Sequence, residues 1–245
     1  GIVGHLFLAS CSRDGRGYPH PDMPRPKIDI NKDWYFYDPC SNIDSDPLWY
    51  GLDIIEQIMN SRVEHEIACH SFSHVDFSRC SKEVALAEVR KCKEVMKDYG
   101  IIPKSFIFPK NRVGHLDILK QEGFKTFRFR IRPYNVIYET ISPIVGICIN
   151  INGLLGIPLS LSFQSPYVID TLRLYTVAVR GIKRAIKEGA IFHITMHDYL
   201  ENDYLLLVFS KLLRYIAKLR DRGKLYIRTM FECYLHRRSV RSKGL

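Results

Sequence analysis

The chain has 245 residues, of which 46% are hydrophobic, 25% charged and 12% aromatic. That is ample for a sizeable core and excludes an intrinsically disordered chain. Lys and Arg (36) outnumber Asp and Glu (26), for a formal charge of +10. With no recognisable nucleic-acid motif, this excess reads as solvated helix faces plus a basic tail, 236–245, and not as a nucleic-acid surface.

In chain order, Gly1 to Ala9 is an apolar run without a basic leader and reads as a buried strand. A chain opening this way reads as incomplete, which leaves open whether a signal peptide has been removed. Cys11 to Asp46, rich in Pro, Gly, Asp and aromatic residues, is expected to be a long ordered loop, either walling a substrate groove or simply packing on the body. Asp46-Pro47 carries the marks of a helix start, and Leu48, Leu52, Ile55 and Met59 give that helix an apolar stripe ending near Asn60. Val63 to Cys69 is expected as a strand, with Val63 and Ile67 inward and Glu64 and Glu66 outward. Ser81 opens a helix with Ala85, Val89, Cys92, Met96 and Tyr99 on its buried face, stopped by Gly100. Ser105 to Phe108 is a strand, His115 to Glu122 a short helix ended by Gly123, and Lys125 to Phe129 a strand.

Further on, the uncharged run from Thr140 to Ile169 is broken by Gly, Pro and Asn, which suits buried strands and turns better than a membrane span. Val168 to Glu188 is helical up to Gly189, and Ala190 to Thr195 forms a strand. Leu205, Phe209, Leu212, Leu213, Ile216 and Leu219 line a long helix closed by Gly223. Lys224 to Arg228 is expected as the last strand, and Thr229-Met230-Phe231-Glu232 is a capping box opening a final helix. Strands alternating with helices predict a parallel α/β domain, 1–235, wound as a barrel or an open sheet. Seven cysteines without a C-x-x-C pair exclude zinc-finger and thioredoxin-like readings. They read as reduced thiols packed as small apolar groups, which favours the cytoplasm.

Chemistry concentrates at expected strand ends, where parallel α/β folds gather functional groups. His70 and His74 are four residues apart, a spacing that puts two imidazoles on one side of a helical turn within reach of one ion. With nine histidines in the chain, spacing alone leaves packed histidines the simpler reading. Pro109-Lys110-Asn111 follows the next strand, as a turn or as a site wall. His197-Asp198 follows the strand at Ala190 to Thr195, while His193, four residues earlier, reads as a packed histidine.

The residues around the first pair, Glu66-Ile67-Ala68-Cys69-His70-Ser71-Phe72-Ser73-His74, resemble the second motif of the polysaccharide deacetylases (NodB homology domain, carbohydrate esterase family 4), in which both histidines bind metal. Phe106-Ile107-Phe108-Pro109-Lys110-Asn111 is similar to a variant of the family's third motif, with Ile107 where an arginine commonly stands. Phe192 to Leu200 resembles the fifth motif, whose histidine is the general acid. The fourth motif is not recognisable. The Asp-Asp pair of the first motif is expected upstream of residue 1, since Gly1 to Ala9 resembles the strand that follows it.

The resemblance implies a deformed (β/α) barrel with His70 and His74 holding a divalent metal, zinc by preference, and a third protein ligand upstream of residue 1. It implies His197 as the catalytic acid, Pro109, Lys110 and Asn111 against substrate, and an acetylated amino-sugar polymer or oligosaccharide as partner. The activity implied is hydrolytic removal of N-acetyl groups. Two alternatives stand beside it: an allantoinase-like hydrolase of non-peptide C–N bonds, and a non-catalytic polysaccharide-binding relative.

Overall fold

The computed structural model describes residues 20–28, 33–36, 38–47, 50–131, 145–163, 168–197 and 203–242. The expected strand at Gly1 to Ala9 and the residue Asp198 lie outside them. Six helices and six strands are described: α1 (Leu52–Met59), α2 (Lys82–Asp98), β1 (Ser105–Ile107), α3 (Leu116–Gln121), β2 (Thr126–Arg130), β3 (Ile149–Ile151), β4 (Leu154–Leu159), β5 (Leu161–Ser162), α4 (Val168–Glu188), β6 (Ile194–Thr195), α5 (Asp203–Asp221) and α6 (Met230–Ser242). The architecture is mixed α/β with parallel pairing. One sheet has the order β1-β2-β4-β3 and a second pairs β5 with β6. These described strands do not close into a barrel. No described helix is long and apolar enough to cross a membrane.

The chain divides into two compact units, the first Gly1–Phe127, Ile151–Leu155 and Thr229–Leu245, the second Arg128–Asn150 and Gly156–Arg228. In the first unit, Phe106 and Phe108 share one face of an extended segment, as an i, i+2 pair must. Their rings meet edge-on at 4.9 Å, and Phe77 packs against them at 5.1 and 5.6 Å. Ile107 points the other way and is also buried. Gly114 lies against this core where no side chain would fit, because a Cβ there would sit 2.1 Å from the carbonyl oxygen of Phe77.

Local signals set several boundaries. The Ser81 hydroxyl caps α2 by accepting from the Val84 amide, and Gly100 follows its end with φ +73°. The capping box of α6 is formed in both directions: the Glu232 amide donates to Thr229 Oγ1 at 3.1 Å and the Thr229 amide to Glu232 Oε2 at 2.6 Å. This helix runs on through the basic residues to Ser242. Three local expectations are corrected. Asp46-Pro47 does not start a helix; α1 begins at Leu52 with Gly51 as its N-cap, and of Leu52, Ile55 and Met59 only Ile55 is buried, Leu48 lying outside the described residues. Val63 is 65% exposed, and the expected strand at Val63 to Cys69 is reduced to one parallel bridge between Cys69 and Phe106. Lys224 to Arg228 forms no strand, and Tyr226 and Ile227 are 80% and 58% exposed. Alternating apolar residues make a strand only where a neighbouring strand accepts their hydrogen bonds. The cysteine reading is corrected too: Cys40 is disulfide-bonded, whereas Cys69, Cys80 and Cys92 are thiols.

In the second unit β5 runs parallel to β6, with Leu161 opposite Ile194 and Ser162 opposite Thr195. Leu161 and Phe163 pack under α4 (Leu174, Val177, Ala178) and α5 (Leu205, Val208, Leu212). Gly181 lets α4 approach Phe192, whose ring would lie 2.1 Å from an added Cβ. Arg128 donates to Thr195 Oγ1 at 3.1 Å; burial, then the neighbouring Arg130, lower its pKa to about 10. His193 is the packed histidine expected. Its Nδ1 is shielded and has no hydrogen-bond partner among the described residues. Burial, reinforced by the Arg128 charge, lowers its pKa to about 4. The unfolded chain therefore takes up a proton as pH falls below about 6.5 while the folded chain does not until near 4, so His193 removes stability across that window. Melting temperature is expected to fall between pH 6.5 and 4 less steeply in His193→Leu than in the unsubstituted chain. Equal slopes would show that His193 titrates normally.

Candidate metal and hydrolase site

The site in the first unit begins with two backbone hydrogen bonds. The Cys69 amide donates to Ser105 O at 3.1 Å and the Ile107 amide to Cys69 O at 2.8 Å, seating Cys69 parallel to β1. His70, the next residue, is buried, and its Nδ1 lies 2.6 Å from the carbonyl oxygen of Ile107. A carbonyl only accepts, so the proton of the neutral ring is on Nδ1 and the lone pair on Nε2. That is the tautomer a metal ligand needs, fixed by the kind of hydrogen bond that orients ligating histidines.

His74 faces His70 with ring centroids 5.0 Å apart and the planes tilted by 68°. The two are brought together by a bend and not by the helical turn that their spacing suggests. Ser71 and His74 have φ of +67° and +59°, in the left-handed region that costs a non-glycine residue about 1 kcal/mol or more. Of the eight non-glycine residues with positive φ among those described, five lie here or in the following loop: Ser71, His74, Lys110, Asn111 and His115. Backbone strain is thus gathered where the chemistry is expected, which favours a functional over a merely structural reading.

The bend is held by Glu88, a residue that the sequence reading passed over. It is fully buried on α2. Its Oε2 accepts from the amides of Phe72 (2.9 Å) and Ser73 (2.6 Å), and its Oε1 from the hydroxyls of Ser73 (2.5 Å) and Tyr35 (3.3 Å). Burial, with the Glu88 charge behind it, raises the Tyr35 phenol well above its usual range, and the same two causes push Cys80 up to about 11. Burial raises the Cys69 thiol as well, helped by Cys92, whose sulfur is 2.7 Å away. Cys69 is thus a protonated thiol packed in the core. The signal for Glu88 was present in the sequence: position 88 is three after Ala85 and four before Cys92, a carboxylate on the apolar stripe of a helix.

The long loop packs over the same bend. Trp34 Nε1 donates to Ser73 O and Ser73 Oγ, both at 3.0 Å. Met23 and Tyr35 bury Phe72, and the His20 ring meets Phe72 edge-on at 5.2 Å while pairing with buried Asp38 at 2.9 Å. Of the two roles open for this loop, packing on the body is the one these contacts display.

In the second loop Pro109 is buried, Asn111 half-buried and Lys110 exposed, and both Lys110 and Asn111 have φ of +55°. Ile107 fills the place of the family's arginine as a buried apolar residue. Arg112 instead donates to Asp76 Oδ2 at 2.6 Å, tying this loop to the one that carries the histidines. Burial opposes ionisation of Asp76, but hydrogen bonds from Ser78 and Arg112 outweigh it and hold the carboxyl below the usual carboxylate range. The guanidinium is about half exposed, so solvent screens much of the attraction.

His197 lies two residues beyond β6, in the second unit, and is partly buried. The described residues bring His70 and His74 together, and a catalytic zinc usually takes three protein ligands, of which this pair could supply two. No group of three His, Cys, Asp or Glu able to hold a metal occurs among them. Between the histidines, the buried Ser71 hydroxyl has no hydrogen-bond partner among the described residues. Such an orphan needs a polar partner. Imidazole nitrogens and a hydroxyl are groups of the kind that a hydrated divalent cation takes as partners.

No protein-family model matches the chain, and no curated protein does. A crystal structure of a protein from Mycobacterium smegmatis, provisionally assigned as a polysaccharide deacetylase, is similar to it over 74% of this chain, with a TM-score of 0.56 and 17% identity. The match covers 64% of that protein, so the chain spans less than two thirds of its length. At this identity the likeness establishes the fold: mixed α/β of the kind seen in that protein.

Asp76 contributes stability above its ordinary pKa near 3.8 and loses it as pH falls through its lower folded value. Followed by carboxyl-carbon NMR, Asp76 is expected to titrate below 3.8, and Arg112→Ala to move its midpoint upward. An unmoved midpoint would remove Arg112 from the account.

Proposed function

We propose that the chain is a metal-dependent hydrolase of the polysaccharide deacetylase type, removing N-acetyl groups from the amino sugars of a glycan. The observation that carries this reading is the pair of facing imidazoles of His70 and His74, with the His70 proton pinned at Nδ1 by Ile107 O. It is supported by the deacetylase-like sequence around the pair and by the fold shared with the M. smegmatis protein. In this reading His70 and His74 hold a divalent metal, zinc by preference, together with an aspartate outside the described residues. Such an ion supplies Lewis acidity to the acetamide carbonyl and lowers the pKa of bound water toward about 7.

The chain's own groups do the rest. The His70–Ile107 hydrogen bond and the bend at Ser71 to His74 orient the two imidazoles. Pro109, Lys110 and Asn111 stand against the sugar. His197 carries the proton that the departing amine takes up, a role suited to a side chain that ordinarily titrates near 6.5. The products are acetate and a free amino sugar.

Acetate release from N-acetylglucosamine oligomers by the full-length gene product, with and without zinc, tests the reading. His70→Ala and His74→Ala are expected to lose zinc and activity together. His197→Ala is expected to keep zinc and lose turnover by about 10²- to 10⁴-fold; undiminished turnover would remove it from the mechanism. Oligosaccharide binding without acetate release would favour the binding-protein alternative. Amide hydrolysis surviving complete metal removal would favour the allantoinase-like one.

A further inference from the structure

We infer that Glu88 is the positioning residue of the histidine pair: its carboxylate sets the spacing of His70 and His74 and with it the affinity of the site for a divalent metal. This rests on the metal-site reading above. Only three residues separate the histidines, and the backbone reverses through left-handed conformations at Ser71 and His74. A segment this short and strained keeps one shape only if something fixed holds its amides. The successive amides of Phe72 and Ser73 converge on a single oxygen, Glu88 Oε2, at 2.9 and 2.6 Å. Consecutive backbone N–H groups turned toward one point form a concave anion site, and here a side chain of the protein occupies it.

The anchor itself is rigid. Glu88 lies near the middle of α2, fully buried. The helix is seated independently by the buried side chains of Val84, Ala85, Val89 and Met96. From above, Trp34 holds the same residue, Ser73, through its carbonyl and hydroxyl oxygens. Glu88 touches neither imidazole through any of these bonds. It acts through the backbone between them, as outer hydrogen-bonding partners of metal ligands do elsewhere with effects of about 10- to 100-fold on affinity.

The test is a zinc titration of the full-length gene product, read by the ring NMR signals of His70 and His74 and by competition with a chromophoric chelator. Glu88→Met keeps the side-chain length and removes both acceptors; it is expected to weaken zinc binding about tenfold or more. Glu88→Gln keeps an oxygen for the two amides and is expected to bind within about twofold of the unsubstituted chain. Leu119→Ala, a cavity in the buried face of α3, serves as the control for lost stability and is expected to lower the melting temperature without changing zinc affinity. Should Glu88→Met fail to fold, Ser73→Ala deletes the hydroxyl bonded to both Glu88 and Trp34, and a threefold or larger loss of affinity is expected. Equal affinity in Glu88→Met, or in Ser73→Ala where that variant must stand in, overturns the inference while leaving the metal site in place. No zinc binding by the unsubstituted chain overturns the metal-site reading, and the inference with it.

Discussion

The carboxylate of Glu88 is the constraint on which the first unit's site depends. Removing a carboxylate from water is costly unless its oxygens are satisfied, and here four hydrogen bonds from described residues reach them. Two come from the backbone of the bend, so the cost of burying the charge and the strain of the bend are offset by the same contacts. The long loop completes the arrangement by bringing Trp34 and Tyr35 to the other side of Ser73 and Phe72. A loop with no helix or strand among its described residues is ordered because it lies on something already fixed.

Around this constraint a few backbone groups serve twice. Ile107 donates its amide to Cys69 and offers its carbonyl to His70, so the pairing that aligns the strand end also sets a histidine tautomer. The flanking Phe106 and Phe108 hold Ile107 in place through the ring cluster with Phe77. Glu66, read from the sequence as an outward residue, accepts from Ser105 Oγ and from the Phe231 amide at the start of α6. The segment leading to His70 is thereby tied to β1 and to a helix far along the chain, although it forms almost no sheet of its own.

Much of the secondary structure was legible because its causes are local. Ser81, the Thr229–Glu232 box and the glycines at 100, 123, 189 and 223 act on neighbours within a few residues, and each does in the structure what its position implies. The failures share a cause as well. Asp46-Pro47 has the chemistry of a helix start, but the helix begins five residues later at Leu52. Val63 to Cys69 and Lys224 to Arg228 have strand-like alternation, but alternation says nothing about whether a partner strand is present.

By itself, then, the sequence determined most helix boundaries, the α/β alternation and the two motif-like loops, since propensity, capping and periodicity act over one or two turns of chain. It also placed His197 just beyond a strand end, whereas the strand expected before His70 is a single bridge. Only the tertiary structure decided that His70 and His74 face each other across a strained bend, because that bend is held by contacts from residues 34, 88 and 107. Glu88 shows the difference most directly. In the sequence it is a carboxylate between Ala87 and Val89 on the apolar stripe of a helix; folded, it is buried and bonded to the backbone between two histidines, because the packing of helix and loop brings the amides of Phe72 and Ser73 to one of its oxygens.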